Sequence, residues 1–223
     1  MHDPKLLEEA VAGWTGTHRF EFCGQPLTVE IEQLDVLPRA LASVYASTME
    51  GLIDPGPDTT LGVVDAGHMA TDWLVARLPR ELPRYSGFAT SVAGVRLVEV
   101  VEDILLDEGL VRINPLAALE ASVTGKYVEG SRELELPTEA LEEMRELMAQ
   151  QLTLTLRQSW RDLALDQVLL TGGLGEVLAP LLEGARGLPG LVLAGSPRTG
   201  VARGAYEFAV RQPEREAVGS VED

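Results

Sequence analysis

The stretch Leu61-Gly62-Val63-Val64-Asp65-Ala66-Gly67-His68-Met69-Ala70-Thr71-Asp72-Trp73-Leu74-Val75 decides how the rest of the chain is read. Leu61 to Val64 is an apolar, β-branched run, and Trp73 to Val75 resumes it, which reads as strand, tight turn, strand. Between them sits Asp65-Ala66-Gly67, with Thr71-Asp72 closing the turn. A glycine there lets the backbone take positive φ and come close to a ligand. Successive amides in such a turn form an anion-binding concavity. Asp65, at the end of the strand, is placed to hold a water on a magnesium ion beside a phosphate. The plain alternative is a hairpin with a polar turn, since short motifs also match by chance.

Working outward, the 223 residues allow one domain or two small ones. Hydrophobic residues at 45% and charged residues at 24% describe a soluble globular chain. The net charge of −17 argues against direct nucleic-acid binding and against adhesion to an anionic membrane. No apolar run approaches the ~20 residues of a membrane span. Met1-His2-Asp3-Pro4 has no basic region or apolar core of a signal peptide, so a cytoplasmic location is expected. The single cysteine, Cys23, excludes an internal disulfide and reads as a small buried hydrophobe on a strand.

Upstream of the central stretch, Asp3 to Ala12 reads as a helix capped by Asp3 and ended by Gly13. Phe20 to Cys23 and Leu27 to Glu32 alternate around a Gly24-Gln25 turn, the pattern of a hairpin with one wet face. Pro38 to Glu50 has apolar residues at helical spacing, and Gly51 stops it. Downstream, Pro79 to Gly87 reads as loop, Val95 to Leu106 and Leu116 to Val123 as helices, and Gly125 to Gly130 as a short strand or turn, for which a plain connector is the favoured alternative. Thr138 to Asp162 is the longest helix, with Thr138 as its cap and Glu139, Glu142 and Glu143 at its positive end. Val201 to Val210 is a helix, and Gln212 to Asp223 reads as a polar, frayed tail.

The second informative stretch is Asp166-Gln167-Val168-Leu169-Leu170-Thr171-Gly172-Gly173-Leu174-Gly175-Glu176-Val177-Leu178. It reads as a buried strand, a diglycine turn, and a helix starting near Leu174. That arrangement puts bare backbone and a helix N-terminus beside a ligand.

Together these units resemble the actin-like ATPase superfamily. Val63 to Asp72 looks like its second phosphate motif, and the Thr71-Asp72 ending is most similar to plasmid-segregation actins of ParM type and their archaeal relatives. Leu169 to Gly175 looks like the adenosine motif. Arg39 to Ser47 looks like the first connecting helix. Ser196-Pro197 with Ala202-Arg203-Gly204-Ala205 looks like the second. Ser86-Gly87 with Gly94 also matches ParM-type chains.

The resemblance covers roughly residues 38–209 and implies an α/β fold: an actin-like, ribonuclease H-like ATPase lobe with a mixed sheet flanked by helices. The family's first phosphate motif and its lysine are absent, so the first lobe is expected to be largely missing. The implied division is a first-lobe remnant over 1–50, a nucleotide-binding second lobe over 51–211 and a flexible tail over 212–223. Arg39 stands about where relatives carry a glutamine or glutamate that orients the attacking water. His68 is bulky for a phosphate turn.

What the resemblance implies chemically is ATP or ADP bound with magnesium. Asp65 would be the catalytic carboxylate, holding the hydrated metal. Gly67, His68, Thr71 and Asp72 would serve the phosphates, and Gly172, Gly173 and Leu174 would line adenine and ribose. Glu146 is a candidate for the ribose, though a solvated residue explains it better. The implied function is that of a partial, ParM-type ATP-binding protein related to filament-forming DNA or plasmid segregation or cytoskeletal proteins. Hydrolysis is not expected from the chain alone. Implied partners are further copies, a first-lobe chain, or a DNA-binding adaptor. A non-hydrolysing interaction module derived from the lobe is the alternative. A sugar kinase or chaperone relative fits less well, for want of a substrate-binding domain. The helices at 38–50 and 201–210 are expected to leave bare apolar surface.

Overall fold

The computed structural model describes residues 4–77 and 80–219. They fall into two compact units, Met1–Pro38 and Arg39–Asp223. In the smaller unit, helix α1 (Pro4–Trp14) precedes the antiparallel strands β1 (Gly16–Phe22) and β2 (Gln25–Ile31). The helix runs through Gly13 to Trp14, and the Asp3 cap lies outside the described residues. The hairpin turns at Cys23 and Gly24, with φ of 51° and 76°, not at Gly24-Gln25 as the sequence implied. Two central residues at positive φ match the right-handed twist of the strands. Cys23 is therefore exposed at a turn, not buried on a strand.

The larger unit is built on a mixed sheet. Helix α2 (Arg39–Met49) leads to β3 (Leu61–Ala66) and β4 (Thr71–Arg77), antiparallel partners. The segment 79–87, expected as loop, carries β5 (Arg80–Glu81) and a 3-10 turn at Pro83–Tyr85, and β6 (Gly87–Ala89) starts at its last residue; both strands pair with β4. Helices α3 (Gly94–Asp107) and α4 (Pro115–Thr124) follow. Asn114 caps α4 by accepting from the Leu116 and Ala117 amides, and Gly125, at φ 74°, ends it. The expected connector is a hairpin of β7 (Lys126–Glu129) and β8 (Arg132–Glu135). Helix α5 (Thr138–Ser159) starts without a side-chain cap, since Thr138 is already helical and Pro137 precedes it. Then come β9 (Gln167–Thr171), α6 (Gly175–Leu182), β10 (Leu191–Leu193) and α7 (Gly200–Gly219). The tail expected to fray from Gln212 is helical to Gly219.

Strands β10, β9 and β3 are parallel neighbours, β4 runs antiparallel beside β3, and β5 and β6 pair with β4 beyond it. Alternation divides the two faces. Val64, Trp73, Val75, Val168 and Leu170 enter the main core with α3, α4, α5 and α6. On the other face Val63 lies between Leu74 and Leu169, and Asp65 between Asp72 and Thr171. Helix α2 packs on β3, β4 and β9, and α7 packs on α2.

One expectation is corrected by this packing. The compact units part at Pro38, and α2 buries its length against the sheet and α7. The bare surface expected on α2 is confined to Met49 for the same reason. Its residues Ala40 to Val44, Ala46 and Ser47 are buried, and Gly204 brings α7 into backbone contact with Ala42.

Candidate functional site

Parallel pairing of β3 with β9 puts their carboxyl ends side by side, with Asp65 opposite Thr171. The turns that follow, Gly67–Ala70 and Gly172–Leu174, therefore open on one edge, where open α/β sheets take ligands. The turns are also joined. The Leu174 amide donates to the Ala66 carbonyl at 2.9 Å. Gly172 takes φ +88°, and a Cβ there would lie 2.4 Å from the Ala66 carbonyl oxygen and 2.5 Å from Asp65 Oδ1. Gly172 thus serves strand-to-turn packing. Gly173 has nothing within 4 Å of its Cβ direction and faces open space.

That space is a cavity of about 400 Å³ between the diglycine turn and α4. His68, Gly173 and Leu174, three of the residues singled out in the sequence, line it, and so do Gly94, Glu120 and Arg198, which were not among the expected site residues. The signal for the α4 wall was present: Leu116, Leu119, Glu120 and Val123 recur at helical spacing on one face. A larger depression of about 850 Å³, lined by Arg157, Trp160 and the Glu183–Leu191 segment, lies at the amino ends of β9 and β10. It is on the wrong edge for a ligand held by strand-end turns. Glu146 is exposed on α5 beside Gln150, Thr153 and Leu181, and lines neither the cavity nor its turns.

The turn after β3 is heavily committed. The Gly67 amide donates to the Ala70 carbonyl at 3.0 Å. The Gly94 and Val95 amides, at the start of α3, donate to the Gly67 and His68 carbonyls at 3.1 and 2.8 Å. A helix N-terminus suited to an anion is thereby spent on the turn. Thr71 is fully buried and its hydroxyl donates to the Val92 carbonyl, so it is not directed to a ligand. The tip amides of His68 and Met69 are outside these hydrogen bonds.

Arg39, the first residue of α2, dominates the other side of this turn. Its Nε and Nη2 donate to Asp65 Oδ2 at 3.0 and 2.8 Å, and Nη2 lies 3.2 Å from Asp72 Oδ2. A Cβ on Gly67 would lie 3.0 Å from Nη2. Asp65 is 2% exposed, whereas the Arg39 side chain is 54% exposed. Cross-strand pairing holds Asp65 and Asp72 on one face, where two like charges repel. The guanidinium between them relieves that repulsion. Burial costs Arg39 some solvation, but the charge and hydrogen bonds of Asp65, then the charge of Asp72, hold its pKa above the ordinary value. Burial pushes the Asp72 carboxyl above its ordinary range. Arg39 opposes that shift and Asp65 adds to it.

These residues do not fit a resident magnesium ion. The buried oxygen that would face the metal already accepts two guanidinium donors. A divalent ion there would also meet a fixed cation. Among the described residues no cluster of three or more histidine, cysteine or acidic side chains could hold a metal.

No protein-family model matches the chain, and no curated protein matches it by sequence. Solved structures do. The archaeal actin homolog Ta0583 in complex with ADP aligns over 94% of this chain and 67% of its own, with 16% identity and a TM-score of 0.76. A ParM filament of 15 strands from Clostridium botulinum aligns over 93% and 62%, with 16% identity and a TM-score of 0.70. A non-polymerisable quadruple mutant of pCBH ParM aligns over 87% and 61%, with 17% identity and a TM-score of 0.69. The chain thus spans about 61 to 67% of the length of these structures.

Proposed function

Because the chain has the fold of the actin-like ATPases, similar to ParM-type proteins, we propose that it binds an adenine nucleotide, ATP or ADP, and does not hydrolyse it. The observation that carries this reading is the cavity of about 400 Å³ at the carboxyl ends of β3 and β9. Its size falls in the roughly 300–1,000 Å³ range of small-molecule sites. Adenine and ribose would lie against Gly173 and Leu174, with Arg198, Glu120 and His68 as the polar groups. The phosphates would cross the turn tip, past the His68 and Met69 amides, toward Arg39. Asp65, Asp72 and Gly67 have the proposed role of seating Arg39. Thr71 and Gly172 shape the two turns. The magnesium ion expected through Asp65 has no part in this proposal.

Absence of turnover follows from charge. Phosphoryl transfer is catalysed mainly by positioning and by electrostatic stabilisation. One guanidinium shared between two carboxylates supplies little positive charge for either.

The assembly side of the proposal is self-association. One of the similar structures is a ParM filament. A cytoplasmic role in DNA or plasmid segregation or a cytoskeleton, with a first-lobe chain or an adaptor as partner, belongs to the same reading. The second reading, an interaction module without nucleotide, is favoured by one observation: Arg39 closes the carboxylate that the family would give to the metal.

Titration with a fluorescent ADP analogue separates the two readings. The nucleotide reading expects saturable binding weaker than micromolar. Gly173→Val, which fills the cavity, and Arg198→Ala should each weaken it by about tenfold, or 1.4 kcal/mol. No binding at millimolar analogue, or binding indifferent to both substitutions, would leave the interaction module.

A further inference from the structure

We propose that Arg39 is a built-in cation that takes the seat of a divalent ion at the phosphate turn, so that this chain engages anions there without metal. The argument begins with the sheet. Register makes Asp65 and Asp72 direct cross-strand partners, so the two carboxylates share one face at the end of β3. Such a pair calls for a positive charge between its members. The chain supplies one from the first residue of α2, 26 positions upstream of Asp65.

The geometry is that of a seated cation, not a passing surface contact. Two nitrogens of one guanidinium converge on a single buried oxygen, and one of them also faces Asp72. A hydrated divalent ion needs open carboxylate edges and room for its waters. Here Asp65 Oδ2 is taken by two N–H donors. Gly67 keeps the path clear, since a side chain at that position would meet Arg39 Nη2 at 3.0 Å and the Ala70 carbonyl at 2.7 Å. Arginine suits this post because it stays charged at every working pH and its fork of donors is fixed. Its side chain is half-exposed, so N–H groups beyond those given to the carboxylates stay open to an anion crossing the turn, which they meet as hydrogen-bond donors more than as net charge.

The seat and the nucleotide can be tested apart, although the anion half of the proposal rests on the nucleotide reading. The first measurement uses Mn²⁺ alone, followed by electron paramagnetic resonance, on wild type, Asp65→Asn, Arg39→Gln and Arg39→Gln with Asp65→Asn. An acidic chain collects Mn²⁺ weakly over its surface, so the comparison is between variants. Wild type and Asp65→Asn should bind alike. Arg39→Gln should gain one site about tenfold or more tighter than that background, and the added Asp65→Asn should remove it. A wild-type site lost in Asp65→Asn, or no gain in Arg39→Gln, would overturn the proposal. If Arg39→Gln does not fold, wild type against Asp65→Asn decides the matter.

The second measurement repeats the fluorescent ADP titration in EDTA and in excess Mg²⁺. Affinities within about twofold are expected, while a tenfold gain with Mg²⁺ would overturn the proposal. Absence of analogue binding in both conditions would sink the nucleotide reading and the anion half with it. The Mn²⁺ result would still decide what occupies the seat.

Discussion

Asp65 and Asp72 stand opposite each other on β3 and β4, and their different burial makes them different experiments. Asp65→Asn removes a charged acceptor from two donors in a buried place, which should cost about 1.5 kcal/mol or more. Asp72→Asn touches a pair that solvent reaches on both sides and a carboxyl whose charge the fold disfavours, so it should change stability by less than about 1 kcal/mol. Urea unfolding at neutral pH compares them directly. The same carboxyl gives a pH signature. Folding raises the Asp72 pKa, so the folded state holds the proton more tightly than the unfolded chain does. The stability this adds is fully present below the ordinary carboxylate range and is lost as pH rises through the raised value. Asp72→Asn should flatten that decline in the weakly acidic range; an unchanged slope would mean that another group produces it. At the β1–β2 turn, Cys23 at positive φ occupies a place that asparagine fills more readily. The native protein should react at once with a thiol reagent. Cys23→Asn should slow amide exchange in the hairpin, and faster exchange would contradict the turn geometry.

Elements were legible where their periodicity was strong. The strands at 61–66 and 167–171 and the helices at 39–49, 94–107 and 138–159 follow from apolar spacing, and four of these five build or border the edge with the site. The cavity-lining residues Gly173 and Leu174 stood out in the sequence because glycine pairs after an apolar strand are conspicuous. Arg198, Glu120 and the Arg39 pairing did not. They depend on how segments far apart in sequence meet, and a lone arginine carries no local pattern. The strands β5, β6 and β8 were missed because two to four residues are too few to show alternation. Exposure on α2 was misjudged because the missing first lobe was taken to leave it uncovered, whereas its small residues are packed under α7. They are small so that α7 can approach. Gly204 makes the test: a Cβ there would lie 1.6 Å from the Ala42 carbonyl oxygen, which no rotamer change relieves. Overpacking costs about 1–3 kcal/mol and more against backbone. Gly204→Ala should lower the melting temperature by roughly 6–12 °C at 3 kcal/mol in a chain of this size. A shift below about 2 °C would show that α7 does not sit this close.

At the scale of the whole molecule, a charge of −17 opposes association while exposed apolar side chains favour it. Within the smaller unit the β1–β2 register aligns Phe20 with Leu27 and His18 with Val29, and Phe22 lies on the same side; all four apolar members are exposed. Salt weakens the repulsion, since the screening length falls from about 10 Å at 0.1 M to about 3 Å at 1 M. Self-association measured by sedimentation should therefore rise with ionic strength. Phe20→Ser with Phe22→Ser should reduce it. Association that falls with salt would point to pairing between opposite charges.

Gly172 has a consequence for ancestry. Its hydrogen in place of a side chain is required by the Ala66 carbonyl and the Asp65 carboxylate, whether or not anything binds beside it. Selection for folding alone retains glycine there. A lineage that ceased to use nucleotide would go on inheriting this half of the diglycine signature. Gly173, where a side chain's Cβ would meet nothing within 4 Å, would be released to vary. The second glycine, not the first, is the record of use.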